Sequence, residues 1–346
     1  MQALRLTAWG RDAELREVPE PDPGPGQVLV RIGGAGACHS DLHLMHDFVD
    51  RVVPWGPPFT LGHENAGWVH GIGPGVTGLA VGDPVAVYGP WGCGRCHRCL
   101  GGAENYCERQ AELGAAGGGL GFDGGMAPVM LVPDSRWLVP LGDLDPVQAA
   151  PLTDAGLTPY HAIKRSLPLL LPGSTVLVIG AGGLGHMAVQ ILAALTPATI
   201  VVVDEREDAL ALARSVGAHA TLTPGADAAA EVMELSSGRG VDVTLDLVGV
   251  DATLALGAAV TRALGHLTIV GIGGGTLPVS FFSVAYEVSV ASTYWGTLPE
   301  LVEVLELARF GRIRAEVHQF DLADAPAAYS AMQAGTLEGR AVIVPS

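Results

Sequence analysis

Val176-Leu177-Val178-Ile179-Gly180-Ala181-Gly182-Gly183-Leu184-Gly185, followed by Ile200-Val201-Val202-Val203-Asp204, is the stretch that decides the fold. Val176–Ile179 is a continuous apolar run, the pattern of a parallel strand buried on both faces. The glycines permit a tight turn and bring the backbone close to a pyrophosphate at the N-terminus of the helix that follows, where exposed amides favour negative charge. Asp204 ends the next strand, about 20 residues on, where a carboxylate accepts hydrogen bonds from the adenosine ribose and repels a 2′-phosphate. This is a dinucleotide-binding βαβ unit that prefers NAD to NADP. Residues 176–203 carry no charged side chain unless His186 is protonated, and they are long enough to span a bilayer. The glycines and Pro197 instead break them into strand, turn, helix and strand.

Working outward, the alternation continues: helix Glu207–Val216, strand Val241–Leu245, a helix near 252–263 and strand Leu267–Val270. That alternation predicts a doubly wound parallel sheet. Residues before about 150 read differently, as short β-pieces between Pro and Gly clusters, for example Val28–Ile32. After about 285 the periodicity loosens, with a helix near Pro299–Phe310 and a terminal strand Arg340–Val344. The expected division is a mainly β domain from 1–154 and 293–346, and a cofactor domain from 155–292. A chain of 346 residues exceeds what one hydrophobic core usually organises.

Charge excludes some partners. The formal net charge is -17, from 36 acidic and 19 basic residues. That surface repels phosphate backbones and anionic lipid, and no basic run relieves it. Nucleic acid and membranes are not expected partners. The first 30 residues show no secretory signal, so a cytoplasmic location is expected.

Four of the five cysteines fall in Cys93-x2-Cys96-x2-Cys99-x7-Cys107. In a reducing compartment this spacing suits a closed tetrahedral zinc site rather than disulfides. With no ligand position open, it is structural. The fifth cysteine opens Cys38-His39-Ser40-Asp41-Leu42-His43, and Gly62-His63-Glu64-Asn65-Ala66-Gly67 follows. Neither segment alone proves a metal site, since a lone cysteine or histidine is more often a packing or polar residue.

Together these segments resemble the zinc-containing medium-chain alcohol dehydrogenase family. The string Gly62-His63-Glu64-x2-Gly67-x5-Gly73-x2-Val76 resembles its zinc signature, and it occurs in order with Cys38, the four-cysteine lobe and the glycine-rich turn. Residues 88–93 and 151–161 resemble bacterial secondary-alcohol dehydrogenases. The resemblance implies a GroES-like catalytic domain beside the Rossmann domain, two zinc ions per chain, NAD, and a homodimer or homotetramer. It implies a catalytic zinc on Cys38, His63 and Asp154, the last a departure because many relatives have cysteine there. A carboxylate is a competent zinc ligand, and such a set leaves a position open. Glu64 is implied as a neighbouring or alternate ligand, and the choice between Asp154 and Glu64 stays open at this point. Asp41 resembles the carboxylate that orients the ligating histidine. Thr158 is implied beside the nicotinamide, Val270-Gly271-Ile272 near its carboxamide, Arg340 on the pyrophosphate, and Ser40 and His43 in a proton relay.

For substrate contacts, Trp55, Tyr294, Trp295 and His43 are pocket candidates, because small alcohols need a mainly apolar cleft. The expected activity interconverts small or hydrophobic, chiefly secondary, alcohols with ketones or aldehydes by hydride transfer. The alternatives are a polyol, threonine or formaldehyde dehydrogenase of the same family, and a non-enzymatic dinucleotide-binding protein. The tail around 285–300 is the candidate subunit interface.

Overall fold

The computed structural model describes residues 1–48 and 53–345. Two compact units form: Met1–Leu157 with Gly296–Phe310 and Ala315–Ser346, and Thr158–Trp295 with Gly311–Arg314. The first division falls after Leu157, where the Leu157–Ser166 helix begins.

In the first unit the long strands Val28–Gly36 and Glu64–Ile72 pair antiparallel at the centre of a seven-stranded sheet. Arg340–Val344 pairs with the far end of Val28–Gly36, through Val342 with Gly36 and Ile343 with Ala35. Val317–Asp321 lies parallel to it. The loosely patterned tail therefore completes this unit. Three neighbouring strands thus bring Cys38, Glu64 and Arg340 to one end of the sheet. Gly36 packs closely here: a Cβ there would stand 1.9 Å from Glu64 Oε2.

The second unit is a six-stranded, all-parallel sheet. Its central strand Thr175–Ile179 is wholly buried, as the continuous apolar run predicts. Leu177, Ile179, Val201, Val203, Val232, Val241 and Val260 form one core cluster. Each such side chain, fully buried, contributes about 1.5–3 kcal/mol. The helix expected from Gly183 starts at Gly185, since Gly183 is still in the turn. The last predicted strand is longer than expected, Thr261–Ile269. Ala220–Leu222, Ala228–Leu235 and the edge strand Ser289–Ser292 had no clear periodic signal. No helix among the described residues is long and apolar enough to cross a membrane.

Candidate active site

Cys38 follows the Val28–Gly36 strand and caps the helix His39–His46. His63 immediately precedes the Glu64–Ile72 strand, and Asp154 follows a short helical turn at Ala150–Thr153. The structure brings all three together: Asp154 Oδ2 lies 3.8 Å from Cys38 Sγ and 3.6 Å from His63 Nε2. With Glu64 they offer four ligand atoms lying within 4.8 Å of one another. A thiol, an imidazole and a carboxylate at this separation fit a zinc ion with room for a further ligand.

Glu64 is fully buried, and its carboxylate is engaged by Arg340, with Nε donating to Oε2 at 3.0 Å and Nη2 to Oε1. Burial pushes the Glu64 carboxyl up to about 7, with Arg340 pulling the other way and Asp154 adding to the rise. Arg340, expected on a pyrophosphate, is engaged inside this cluster, 4.0 Å from Asp154. Its strand delivers it there, a placement that no local feature of the sequence signals.

His63 is held from its other side, where Nδ1 lies 3.2 Å from Asp41 Oδ1. Burial disfavours a charged imidazole, yet Asp41 and Asp154 outweigh it and hold its pKa well above the usual range. A metal must displace that proton on binding. Ser40 Oγ lies 3.3 Å from His63 Nε2. His43 is partly exposed, one helical turn on, with Nδ1 bonded to Asp47 Oδ2 and its ring 6.0 Å from that of His39. Asp47, His39 and Tyr329, whose hydroxyl donates to Asp41 at 2.8 Å, were not singled out from sequence.

The four remaining cysteines also converge, with free thiols and all four ligand atoms within the same limit. Cys96 and Cys99 sulfurs are 3.4 Å apart, and Cys93 and Cys99 sulfurs 4.0 Å. Backbone N–H groups of Cys93, Cys96, Cys99 and Arg109 point at the sulfurs. The Cys99 amide is the main reason that the Cys96 thiol sits near 6, despite some opposing burial. An all-sulfur set aimed at one point fits a closed zinc site.

In the second unit, Gly180 takes φ +93 as the strand turns toward the helix. A Cβ on Gly185 would stand 2.0 Å from Gly180 O, whereas one on Gly182 would meet nothing within 4 Å, leaving backbone open to a ligand. Gly183 and Leu184 complete the turn, Leu184 capping the helix. Asp204 Oδ2 accepts from Ala181 N–H at 2.6 Å, and its Oδ1 from Arg206 N–H at 2.9 Å. The carboxylate is thus tied to the glycine turn that it follows in sequence. Such a cradle fits a dinucleotide.

Val270, Gly271 and Ile272 follow their strand, with Gly271 closely packed on the Val248 backbone and Ile272 exposed. Thr158 is buried at the start of its helix. Trp55 packs edge-on to Phe59 at 5.7 Å and against Trp9 at 6.0 Å. Tyr294 is exposed, while Trp295 is buried.

The alcohol dehydrogenase GroES-like domain matches residues 24–143, and the zinc-binding dehydrogenase family matches residues 183–309. An NAD-dependent alcohol dehydrogenase of Sulfurisphaera tokodaii is 36% identical, with all of both chains covered. A D-arabinose 1-dehydrogenase (NADP(+)) of Saccharolobus solfataricus is 33% identical over 99% of this chain and 97% of that one. The crystal structure of the alcohol dehydrogenase from Aeropyrum pernix superposes with a TM-score of 0.92 at 37% identity, covering all of both chains. With both domain families matched in order and a full-length relative at 36% identity, the chain belongs to the zinc-binding medium-chain alcohol dehydrogenase family.

Proposed function

We propose that this enzyme oxidises small or hydrophobic, chiefly secondary, alcohols with NAD, and reduces the corresponding carbonyls. The observation that carries this is the convergence of Cys38, His63 and Asp154 while Glu64 is engaged by Arg340. That arrangement supports Asp154 as the third ligand, with Glu64 held in reserve. Zinc held by these residues would supply a Lewis acid for an alcohol oxygen, and bound NAD would supply the hydride acceptor.

The chain's own residues manage the proton and the orientation. Ser40 Oγ, beside the ligating face of His63, accepts the hydroxyl proton and passes its own toward His43. The Asp47 bond to Nδ1 leaves His43 Nε2 as the accepting nitrogen. Asp41 holds the His63 ring so that Nε2 faces Asp154. Cys93, Cys96, Cys99 and Cys107 clamp their loop around a second zinc. Asp204 would hold the adenosine ribose, and the open backbone at Gly182 would leave room for the pyrophosphate. Thr158 and the Val270–Ile272 backbone are the residues that would hold the nicotinamide end of the cofactor, and Trp55 is the candidate contact for substrate.

The same proposal includes self-association and a cytoplasmic location. Ser289–Ser292 is an edge strand, and Phe281, Phe282 and Tyr286 are exposed nearby in sequence, which supports that face as the subunit contact. The free thiols suit a reducing compartment.

One relative's name, D-arabinose 1-dehydrogenase, favours a sugar or polyol substrate as the second reading. Incubation with NAD and a panel of secondary alcohols, polyols, aldoses and amino alcohols, followed by reduced-nicotinamide absorbance, separates the two. Turnover highest on secondary alcohols supports the proposal. Turnover confined to polyols or aldoses replaces it with the second reading.

A further inference from the structure

We propose that Tyr329 is a positioning residue of the metal centre, acting through Asp41 on both His63 and Cys38. Tyr329 lies on the Ala325–Gln333 helix, 288 residues from Asp41 in sequence, and both side chains are buried. Its hydroxyl donates to Asp41 Oδ2 at 2.8 Å, and the same oxygen accepts the Cys38 backbone N–H at 3.0 Å. With Oδ2 held by two donors, Oδ1 is the oxygen turned toward His63 Nδ1, 3.2 Å away. One carboxylate therefore ties the backbone of one ligand to the imidazole of another, and Tyr329 fixes its rotation.

The geometry suits that role better than plain core packing. A ring alone would fill the same volume, but this ring places its one polar atom on the one fully buried carboxylate of the Cys38–His43 segment. Burial, and then the charge of Asp41, hold the phenol well above its usual pKa, so it remains a donor. The hydroxyl's other neighbour is Met126 Sδ at 3.3 Å, a weak acceptor. Partners that orient a ligating histidine typically change metal affinity by about 10–100-fold when removed.

This inference rests on the proposal that Cys38, His63 and Asp154 hold zinc. The test uses the full chain and reads metal binding rather than turnover. Zinc affinity of this centre is measured by chelator competition, and the centre is also loaded with cobalt to record its thiolate charge-transfer and ligand-field absorption. Tyr329→Phe keeps the ring and should bind zinc about tenfold more weakly, or worse, with a shifted cobalt spectrum. Zinc on the four cysteines should stay in place, which reports that the lobe is folded. Met126→Leu removes only the hydroxyl's second contact and should match wild type. Asp41→Asn and the Asp41→Asn/Tyr329→Phe double variant should bind alike, because the effect passes through Asp41. Wild-type affinity and spectrum in Tyr329→Phe would overturn the positioning role alone, as would losses in the double variant that simply multiply. A wild-type protein that takes up metal only on the four cysteines would overturn the metal-centre proposal as well.

Discussion

Glu64 and Arg340 stand 276 residues apart in the chain and form a buried ion pair, Nε to Oε2 at 3.0 Å, beside the convergent Cys38, His63 and Asp154. The pair bears on a question that the sequence leaves open, which carboxylate would be the third zinc ligand, and it supports the proposal of Asp154. Glu64 is next to His63 in sequence but is engaged by the guanidinium. Asp154, more than ninety residues away by numbering, is the carboxylate whose oxygen faces both Cys38 and His63.

Arg340→Met should therefore be strongly destabilising, because it strands a buried carboxylate. The expected loss is about 3–5 kcal/mol, the usual cost of removing one partner from a buried pair. Glu64→Gln/Arg340→Met should regain much of it. Chemical denaturation of the three proteins checks this, and an Arg340→Met protein as stable as wild type would contradict the pairing.

How far the sequence carried follows from where the contacts lie. Local patterns were sufficient for the glycine turn, the four-cysteine lobe and the four inner strands of the parallel sheet, because each is written within one segment at fixed spacing. The terminal strand Arg340–Val344 was also legible. What it delivers was not: nothing near residue 340 tells that its strand pairs at Gly36 and sets a guanidinium on Glu64. Tyr329 is hidden for the same reason, since its partner is on a distant element and its helix reads as ordinary small-residue packing. Asp47 could have been found, standing one helical turn after His43 at the i,i+4 spacing that pairs side chains.

Cys93→Ser should lose zinc from the four-cysteine lobe and lower the temperature of unfolding while retaining zinc at Cys38 and His63. The backbone N–H groups aimed at the sulfurs are oriented for thiolates, and a hydroxyl neither ionises nor binds zinc comparably. Metal analysis beside a thermal melt reads both effects. Unchanged zinc content, at two ions per chain, would contradict the assignment.

Asp204→Ser should narrow the preference for NAD over NADP, by removing the charge that opposes a 2′-phosphate. Because Asp204 also accepts the Ala181 N–H, the substitution should weaken NAD binding as well. The ratio of kcat/KM for the two cofactors, wild type beside variant, is the measurement. A wild type with equal efficiency for both would remove this role of Asp204.

Ser40→Ala should be nearly inactive, since the proposed relay takes the substrate proton through its hydroxyl, which lies 3.3 Å from His63 Nε2. His43→Ala should be milder, losing about tenfold near pH 7, because buffer or hydroxide can replace a terminal proton acceptor. Its alcohol oxidation should recover as pH or buffer base rises. Profiles of kcat/KM against pH at two buffer concentrations would, if parallel to wild type and without rescue, exclude His43 as the exit base.

Alcohol oxidation is proposed to depend on metal held by Cys38, His63 and Asp154, and the most direct measurement compares wild type with Asp154→Ala for zinc content and NAD-linked alcohol turnover on the same preparations. Asp154→Ala should keep one zinc on the four cysteines, lose the other, and lose turnover by about a thousandfold or more, as expected when electrostatic stabilisation of the reacting oxygen is removed. An Asp154→Ala protein with two zinc ions per chain and near-normal turnover would contradict it.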